Sequence, residues 1–247
     1  MLRTLSSLYR YTLHTREGEL GNIADAYFED ETWVIRYLVV DLNRWLPGRK
    51  VLVPPAIAER PKDETGQLPV EMTRESVRTA PDFKTEQPVS RQLEDRLHSF
   101  FGWQPYWAGE PEGGQTSPRV PSGDEMTGDR EADSTPKEAP TGNPNLRSAR
   151  DLIGYKIEAA TQPVGTLTDL LVDDESWMVR YLVIDVGQPD TTRQVVIAAD
   201  TVEKVDWHQF AIFLDLERDS VERAPSFEAA PVLPEALERQ LERHFHS

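Results

Sequence analysis

The sequence predicts a mainly β protein made of two small β-barrels, each followed by short helices, with a disordered linker between them. Three observations predict it. The chain is written twice in register, each copy is built of short segments with a period of two, and a Pro/Gly-rich acidic stretch separates the copies.

The duplication is gapless. Gly21, Asp25, Trp33, Arg36, Tyr37, Leu38, Val39 and Asp41 recur 144 residues later as Gly165, Asp169, Trp177, Arg180, Tyr181, Leu182, Val183 and Asp185. Beyond them Arg49 meets Arg193, Val51 meets Val195 and Glu59 meets Glu203 at the same offset. A chance match would drift in register; this one marks an internal repeat.

Within the first copy "LYRYTLHT" alternates, "LGNIADAYFED" reads as a strand, and "WVIRYLVVDL" is the longest apolar run. "RKVLVPP" and "LPVEMT" add two shorter strands, with "EDET", "NRWLPGR" and "KDETGQ" as turns. The second copy repeats the series as "GYKIEA", "VGTLTDLLVDD", "WMVRYLVIDV", "RQVVIAA" and "FAIFLDL". Five short strands suit a small, strongly bent sheet closing on itself, its interior filled by side chains. Helical patterns follow. "TRESVRTAPDF" predicts a short helix stopped before Pro81. Leu93, Leu97 and Phe101, and again Leu237, Leu241 and Phe245, form one narrow stripe at i, i+4, i+8, which must lie on its own barrel or on the other copy.

The expected domains are 1–103 and 146–247, each a barrel with a C-terminal helix, joined by a flexible acidic linker over 104–145. That stretch has too few large apolar residues to offset its ordering entropy. "GWQPYW" at its start is a candidate to dock on the first copy. A tether of 42 residues spans on the order of 35 Å, and holds the copies at an effective concentration in the millimolar range. The two barrels are therefore expected to pack as an intramolecular pseudo-dimer, each still closing its own apolar interior.

The repeated words supply the structural and interaction candidates: Trp33, Arg36, Tyr37 and Asp41, with Trp177, Arg180, Tyr181 and Asp185. In "WVIRYLVVD" Trp33, Ile35, Tyr37, Val39 and Asp41 share one parity, and Val34, Arg36, Leu38 and Val40 the other. Both faces are apolar, so the strand is covered on both sides. Arg36 then packs its stem among apolar neighbours and reaches a carboxylate or carbonyls at the rim. The sharper reading makes it an arginine for a partner's anion. Asp25 and Asp41 serve turns or rim hydrogen bonds.

Other chemistry finds little support. The chain has no cysteine, which removes disulfides, thiolate metal sites and a thiol nucleophile, and fits a reducing, cytoplasmic setting. The acids at Glu29 and Asp173 lack the spaced ligands of a calcium loop. The five histidines form no zinc spacing. No Gly-x-Ser-x-Gly, HExxH or phosphate-cradling glycine loop occurs. No catalytic, cofactor-binding or metal-ligating set is expected, and the chain is read as non-enzymatic. The net charge of −16 argues against nucleic acid and against an anionic leaflet. Residues 1–101 carry 14 basic and 16 acidic side chains, while residues 146–247 carry 10 and 19, so the copies face different surroundings. No run reaches the length of a membrane-spanning helix.

"GNIADAYFEDETWVIRYLVVD", "RKVLVPP" and "TRESVRTAP", with "VGTLTDLLVDDESWMVRYLVIDV" through "ERAP" in the second copy, resemble the PRC-barrel family. Its members include the cytoplasmic domain of the photosynthetic reaction-centre H subunit and the C-terminal domain of the ribosome-maturation factor RimM. The resemblance implies a tandem of small β-barrels that dock on larger assemblies, with a protein partner, no cofactor and no transferable catalytic residues. A tandem adaptor is the leading expectation. The alternatives are an accessory factor, peripherally attached to a photosynthetic or redox membrane complex, and a ribosome-maturation-like factor.

Overall fold

The structure is a computed structural model that describes residues 1–44, 46–81, 83, 89–109, 146–187, 193–228, 230 and 232–245. From residue 110 onward the expected linker lies outside the described residues. The first copy contributes β1 (Leu2–Thr4), α1 (Leu5–Leu8), β2 (Thr12–Thr15), β3 (Gly18–Glu29), β4 (Ile35–Asp41), β5 (Lys50–Val53), β6 (Gln67–Pro69), α2 (Arg74–Thr79) and α3 (Arg91–Phe101). The second contributes β7 (Leu146–Ser148), α4 (Ala149–Leu152), β8 (Lys156–Ala159), β9 (Gln162–Asp173), β10 (Val179–Asp185), β11 (Gln194–Ala198), β12 (Val202–Asp206), β13 (Ala211–Leu214), α5 (Arg218–Glu222) and α6 (Glu235–Phe245). The architecture is mainly β, in two strand sets each followed by short helices. No described helix is long and apolar enough to cross a membrane.

The strands form two sheets, ordered β5-β4-β3-β2-β6 and β11-β10-β9-β8-β13-β12, with β2–β6 and β8–β13 parallel. The long strands β3 and β9 carry register shifts, for example between Ile23 and Asp25, which bend them. The stretch read as one strand, "LYRYTLHT", is divided: Leu5 and Leu8 are buried on one side of a single helical turn, and only Thr12–Thr15 is extended.

The first three-residue strand of each copy leaves its own sheet. β1 pairs with β9 (Leu2↔Asp173, Arg3↔Val172, Thr4↔Leu171), and β7 pairs with β3 (Leu146↔Glu29, Arg147↔Phe28, Ser148↔Tyr27). The two exchanges are the same pairing at the 144-residue offset, so the copies are related as in a strand-swapped dimer. At the centre, Val34 bridges Met178; Val179 N–H donates to the Trp33 carbonyl and Ile35 N–H to the Trp177 carbonyl, both at 2.8 Å.

This corrects one expectation. The copies do not each close a private interior: a single apolar cluster runs from Leu5, Leu13, Ile23, Leu38 and Val40 to Ile157, Leu167, Leu182, Ile184 and Ile212. The outer face of each sheet is covered by the helix of its own copy. Leu93 and Leu97 of α3 lie over Tyr37, Val39 and Leu52. Leu237 and Leu241 of α6 lie over Tyr181, Val183 and Val196. Burying one such leucine contributes about 2 kcal/mol. The exchanged strands join these outer clusters too, Leu146 in the first and Leu2 in the second.

The repeated glycine has a steric cause. A Cβ at Gly21 would stand 2.3 Å from the Asp41 carbonyl oxygen, and one at Gly165 2.4 Å from that of Asp185. Only glycine lets β3 and β9 approach β4 and β10 so closely.

Candidate functional site

The exchanged strands are pinned by carboxylates reaching across the copies. Arg3, 2% exposed, donates Nε–H to Asp174 Oδ2 at 2.6 Å and turns its other nitrogens to Asp63. Burial works to lower the pKa of this guanidinium, but Asp63 and Asp174 outweigh it and hold it above its ordinary value. Asp63 is held below the usual carboxylate range, chiefly by its hydrogen bond from Arg3, with Tyr11 adding a second. The offset partners are Arg147 and Asp30, 3.3 Å apart and more exposed. The repeated Asp25 and Asp169 act in trans. Asp25 accepts from the Ser148 hydroxyl at 2.6 Å and the Arg150 N–H at 3.3 Å; Asp169 accepts from the Ser6 hydroxyl at 2.5 Å and its N–H at 3.2 Å. Burial raises the Asp25 carboxyl above its ordinary value against these hydrogen bonds.

Trp33 and Trp177 do not lie in strands. Each closes the hairpin before β4 or β10 in the left-handed region (φ 58° and 55°), with its N–H on the Glu29 or Asp173 carbonyl at 2.8 Å. Left-handed backbone costs an L-residue about 1–2 kcal/mol. Burial of the indoles, with Trp33 stacked on Phe28 at 5.3 Å, offsets it.

The parity reading of β4 also fails at Arg36. Tyr27 pairs with Tyr37 and Phe28 with Ile35, leaving Arg36 as the extra residue of a β-bulge; Arg180 is the extra residue between Val179 and Tyr181. Arg36 therefore leaves the face of Leu38 and Val40. Its guanidinium meets Glu29 Oε2 at 2.5 Å and stacks 4.1 Å over the Tyr106 ring. Burial alone would raise the Glu29 carboxyl, yet Arg36 and Thr32 hold it below its ordinary value. Arg180 is exposed. Asp41 and Asp185 end their strands by accepting from Asn43 N–H at 2.9 Å and Gly187 N–H at 2.8 Å.

The central crossing thus brings sequence candidates together across the copies. Arg36 and Trp177 line one cleft of about 270 Å³, with Pro54, Pro55, Tyr106 and Glu175. Trp33 and Arg180 line a second of about 280 Å³, with Ala198, Ala199 and Asp200 at the offset positions of the prolines and Ala56. Tyr37 and Tyr181 are buried beneath the helices, and Asp41 and Asp185 stand apart.

The first cleft has a polar support that sequence reasoning missed. Tyr37 OH donates to Glu94 Oε1 at 3.1 Å and lies 2.8 Å from His98 Nε2. Tyr106 OH donates to the same Glu94 oxygen at 2.8 Å, and Arg91 meets the other at 3.3 Å. Glu94 is fully buried and His98 is 5% exposed. Burial, followed by the nearby Glu94 charge, holds the Tyr37 and Tyr106 hydroxyls well above their ordinary pKa. Burial lowers that of His98, whose Nδ1 is buried without a hydrogen-bond partner among the described residues. Trp107 packs edge-on to His98 at 4.8 Å, so the first aromatic residues after α3 fold back onto it. The available signal was the i, i+4 pair Glu94 and His98 beside the leucine stripe. With these groups turned inward on one another, the arrangement positions Tyr106 and Arg36 at the cleft. Among the described residues no cluster of three or more potential ligands could hold a metal ion.

The model of the PRC-barrel domain family matches residues 144–215. An "Uncharacterized protein" of Deinococcus radiodurans is 30% identical over 77 residues, 31% of this chain and 27% of that protein. The chain therefore spans about a quarter of the curated relative it matches.

Proposed function

Since residues 144–215 carry a PRC-barrel domain, we propose that the chain is a non-enzymatic, cytoplasmic protein-interaction adaptor. Its two units, 1–103 and 146–247, act as one strand-exchanged pseudo-dimer. The reciprocal pairing of β1 with β9 and of β7 with β3 carries this reading. An exchange of that kind serves to hold two copies in one fixed relation, and here it builds two clefts at the crossing with different linings. The cleft of Arg36, Tyr106 and Trp177 has a buried polar support and stacked aromatic rings, which is the composition of a recognition surface. The inward hydrogen bonding of Glu94 and His98 favours a supporting role over catalysis.

The test is to place a protease site within residues 110–145 and cut it. The halves are expected to elute as one species on gel filtration at micromolar concentration. Separation into two would refute the pseudo-dimer. Affinity purification from the native organism, with and without Arg36→Ala, then reads the partner: a protein captured by the unaltered chain and lost with the variant supports the cleft as its docking site.

A further inference from the structure

The sheet of the second copy ends on an open strand. β12 is bonded to β13 on one side, and among the described residues nothing pairs with its other side. The opposite edge of the same sheet is covered: Val196 N–H on β11 donates to the Pro225 carbonyl at 3.0 Å, and Phe227 N–H to the Gln194 carbonyl at 2.9 Å. In the first copy the stretch at the offset of β12 makes only isolated bridges, Ala58 with Val70 and Lys62 with Gln67. Between them stands Pro61, at the offset of Val205, which has no N–H to give.

The direction of the free backbone groups follows from the register. Phe210 gives its carbonyl to Lys156 N–H on β8 at 3.0 Å, so Ala211 and Phe213, one and three residues on, turn theirs to β12, where they face Asp206 and Lys204. Val205, between those two, then points its own N–H and C=O out from the sheet edge. Its side chain lies inward, opposite Ile212 and against the core.

The charges on either side complement each other. Lys204 is exposed, with its Nζ 4.4 Å from the centre of the Phe213 ring and no carboxylate on it among the described residues. Asp206 accepts from His208 N–H at 3.0 Å and Gln209 N–H at 2.9 Å through Oδ1, which leaves Oδ2 without a partner among the described residues.

We propose that β12 is a self-association edge, through which two molecules of this chain join β12 to β12, antiparallel, across a two-fold axis at Val205. In that register each Val205 exchanges both of its free backbone groups with its equivalent, and Lys204 of each molecule faces Asp206 of the other. The neighbouring registers oppose like charges: an axis at Lys204 sets lysine against lysine, and one at Glu203 glutamate against glutamate. Such a contact closes as a dimer, and Pro61 keeps the first copy's edge from extending it. Two backbone bonds and two exposed ion pairs make the association weak. It goes beyond the adaptor reading, and gives an adaptor two of each cleft.

The test follows the full chain by sedimentation equilibrium from micromolar concentration to about 0.5 mM. Salt is held at about 0.15 M, where a Debye length of about 8 Å screens the net charge of −16 on each molecule. The average mass is expected to rise from one chain towards two. Hydrogen exchange at Val205 N–H slows over the same range, while that at Lys204 and Asp206, already turned to β13, stays as it was. Lys204→Glu sets acid against acid at both contacts and weakens the dimer about tenfold or more. Val205→Pro copies the first repeat and abolishes it. The proposal is overturned if the mass stays that of one chain throughout, if Val205 N–H exchanges as fast in concentrated as in dilute solution, or if Lys204→Glu associates like the unaltered chain. The charge reversal leaves the backbone alone, so it decides the matter even where the proline unfolds the hairpin.

Discussion

Removing Asp174 probes the strand exchange through its most buried contact. Arg3 and Asp174 have side chains only 3% and 4% exposed, and they join β1 of one copy to the hairpin after β9 of the other. Replacing a buried, paired charge by a neutral side chain leaves its partner uncompensated, which costs about 3–5 kcal/mol. Asp63 remains on Arg3 but is half exposed, so Asp174→Ala is expected at the lower end, about 3 kcal/mol. In a domain of this size that corresponds to a fall in Tm of roughly 6–12 °C. The offset residue Asp30 meets Arg147 at 3.3 Å, with side chains 17% and 37% exposed, and Asp30→Ala is expected to cost less than about 1 kcal/mol. Urea unfolding of both variants, with Arg3→Met and the Arg3→Met/Asp174→Ala double variant closing a cycle, measures the difference. The double variant is expected to be more stable than Asp174→Ala, since no charge is left stranded. Equal losses for Asp174→Ala and Asp30→Ala would refute the reasoning, because Asp174 is the more buried and makes the closer contact.

Other outcomes follow from the same contacts. Gly21→Ala or Gly165→Ala drives a Cβ into a backbone carbonyl and is expected to cost about 2–3 kcal/mol; a loss under about 0.5 kcal/mol in thermal unfolding would show that the strands can part freely. Tyr37→Phe removes the hydroxyl shared by Glu94 and His98 and is expected to cost about 1–3 kcal/mol, read by denaturant midpoint against the smaller effect of Tyr9→Phe, whose hydroxyl makes a 3.4 Å contact. His98 has its folded pKa lowered by burial. Its contribution is present above the unfolded value near 6.5 and is lost as pH falls from there to the folded value. Unfolding free energy between about pH 7 and pH 5 should therefore fall in the unaltered chain, and less steeply in His98→Phe.

Much of the architecture was written in the sequence. The repeat, the turn signals and the leucine stripes mark residues whose environment is set locally or by a single buried face. Tyr37 and Tyr181, Leu97 and Leu241 are buried for that reason. The exchange was not legible, because β1 is three residues long and shows no periodicity. In a duplicated chain a strand finds the same partner chemistry in its own copy as in the other. Leu2 opposite Asp173 and Leu2 opposite Glu29 would look alike on paper. The bulge at Arg36 was hidden for a related reason: alternation presumes one residue per step, and "IRYL" spends an extra one. Trp33 reads as a strand residue by propensity, yet its place is fixed by the tight hairpin and by the carbonyl it gives to Val179. The cleft followed from these two departures, since the crossing of the copies brings Trp177 beside Arg36 and Tyr106.

The chain has no cysteine, so a paired replacement reports directly on which strands are neighbours. Residues facing each other on antiparallel strands have Cα atoms about 4.5–5.5 Å apart, within disulfide range. Leu2→Cys with Asp173→Cys is expected to oxidise to a bond that keeps the halves together on a non-reducing gel after cutting within residues 110–145. Leu2→Cys with Glu29→Cys, the pairing each copy would make alone, places both thiols on one fragment and is expected to leave them unoxidised on thiol titration. Halves that separate in the first variant, together with an oxidised pair in the second, would contradict the exchange of strands on which the account stands.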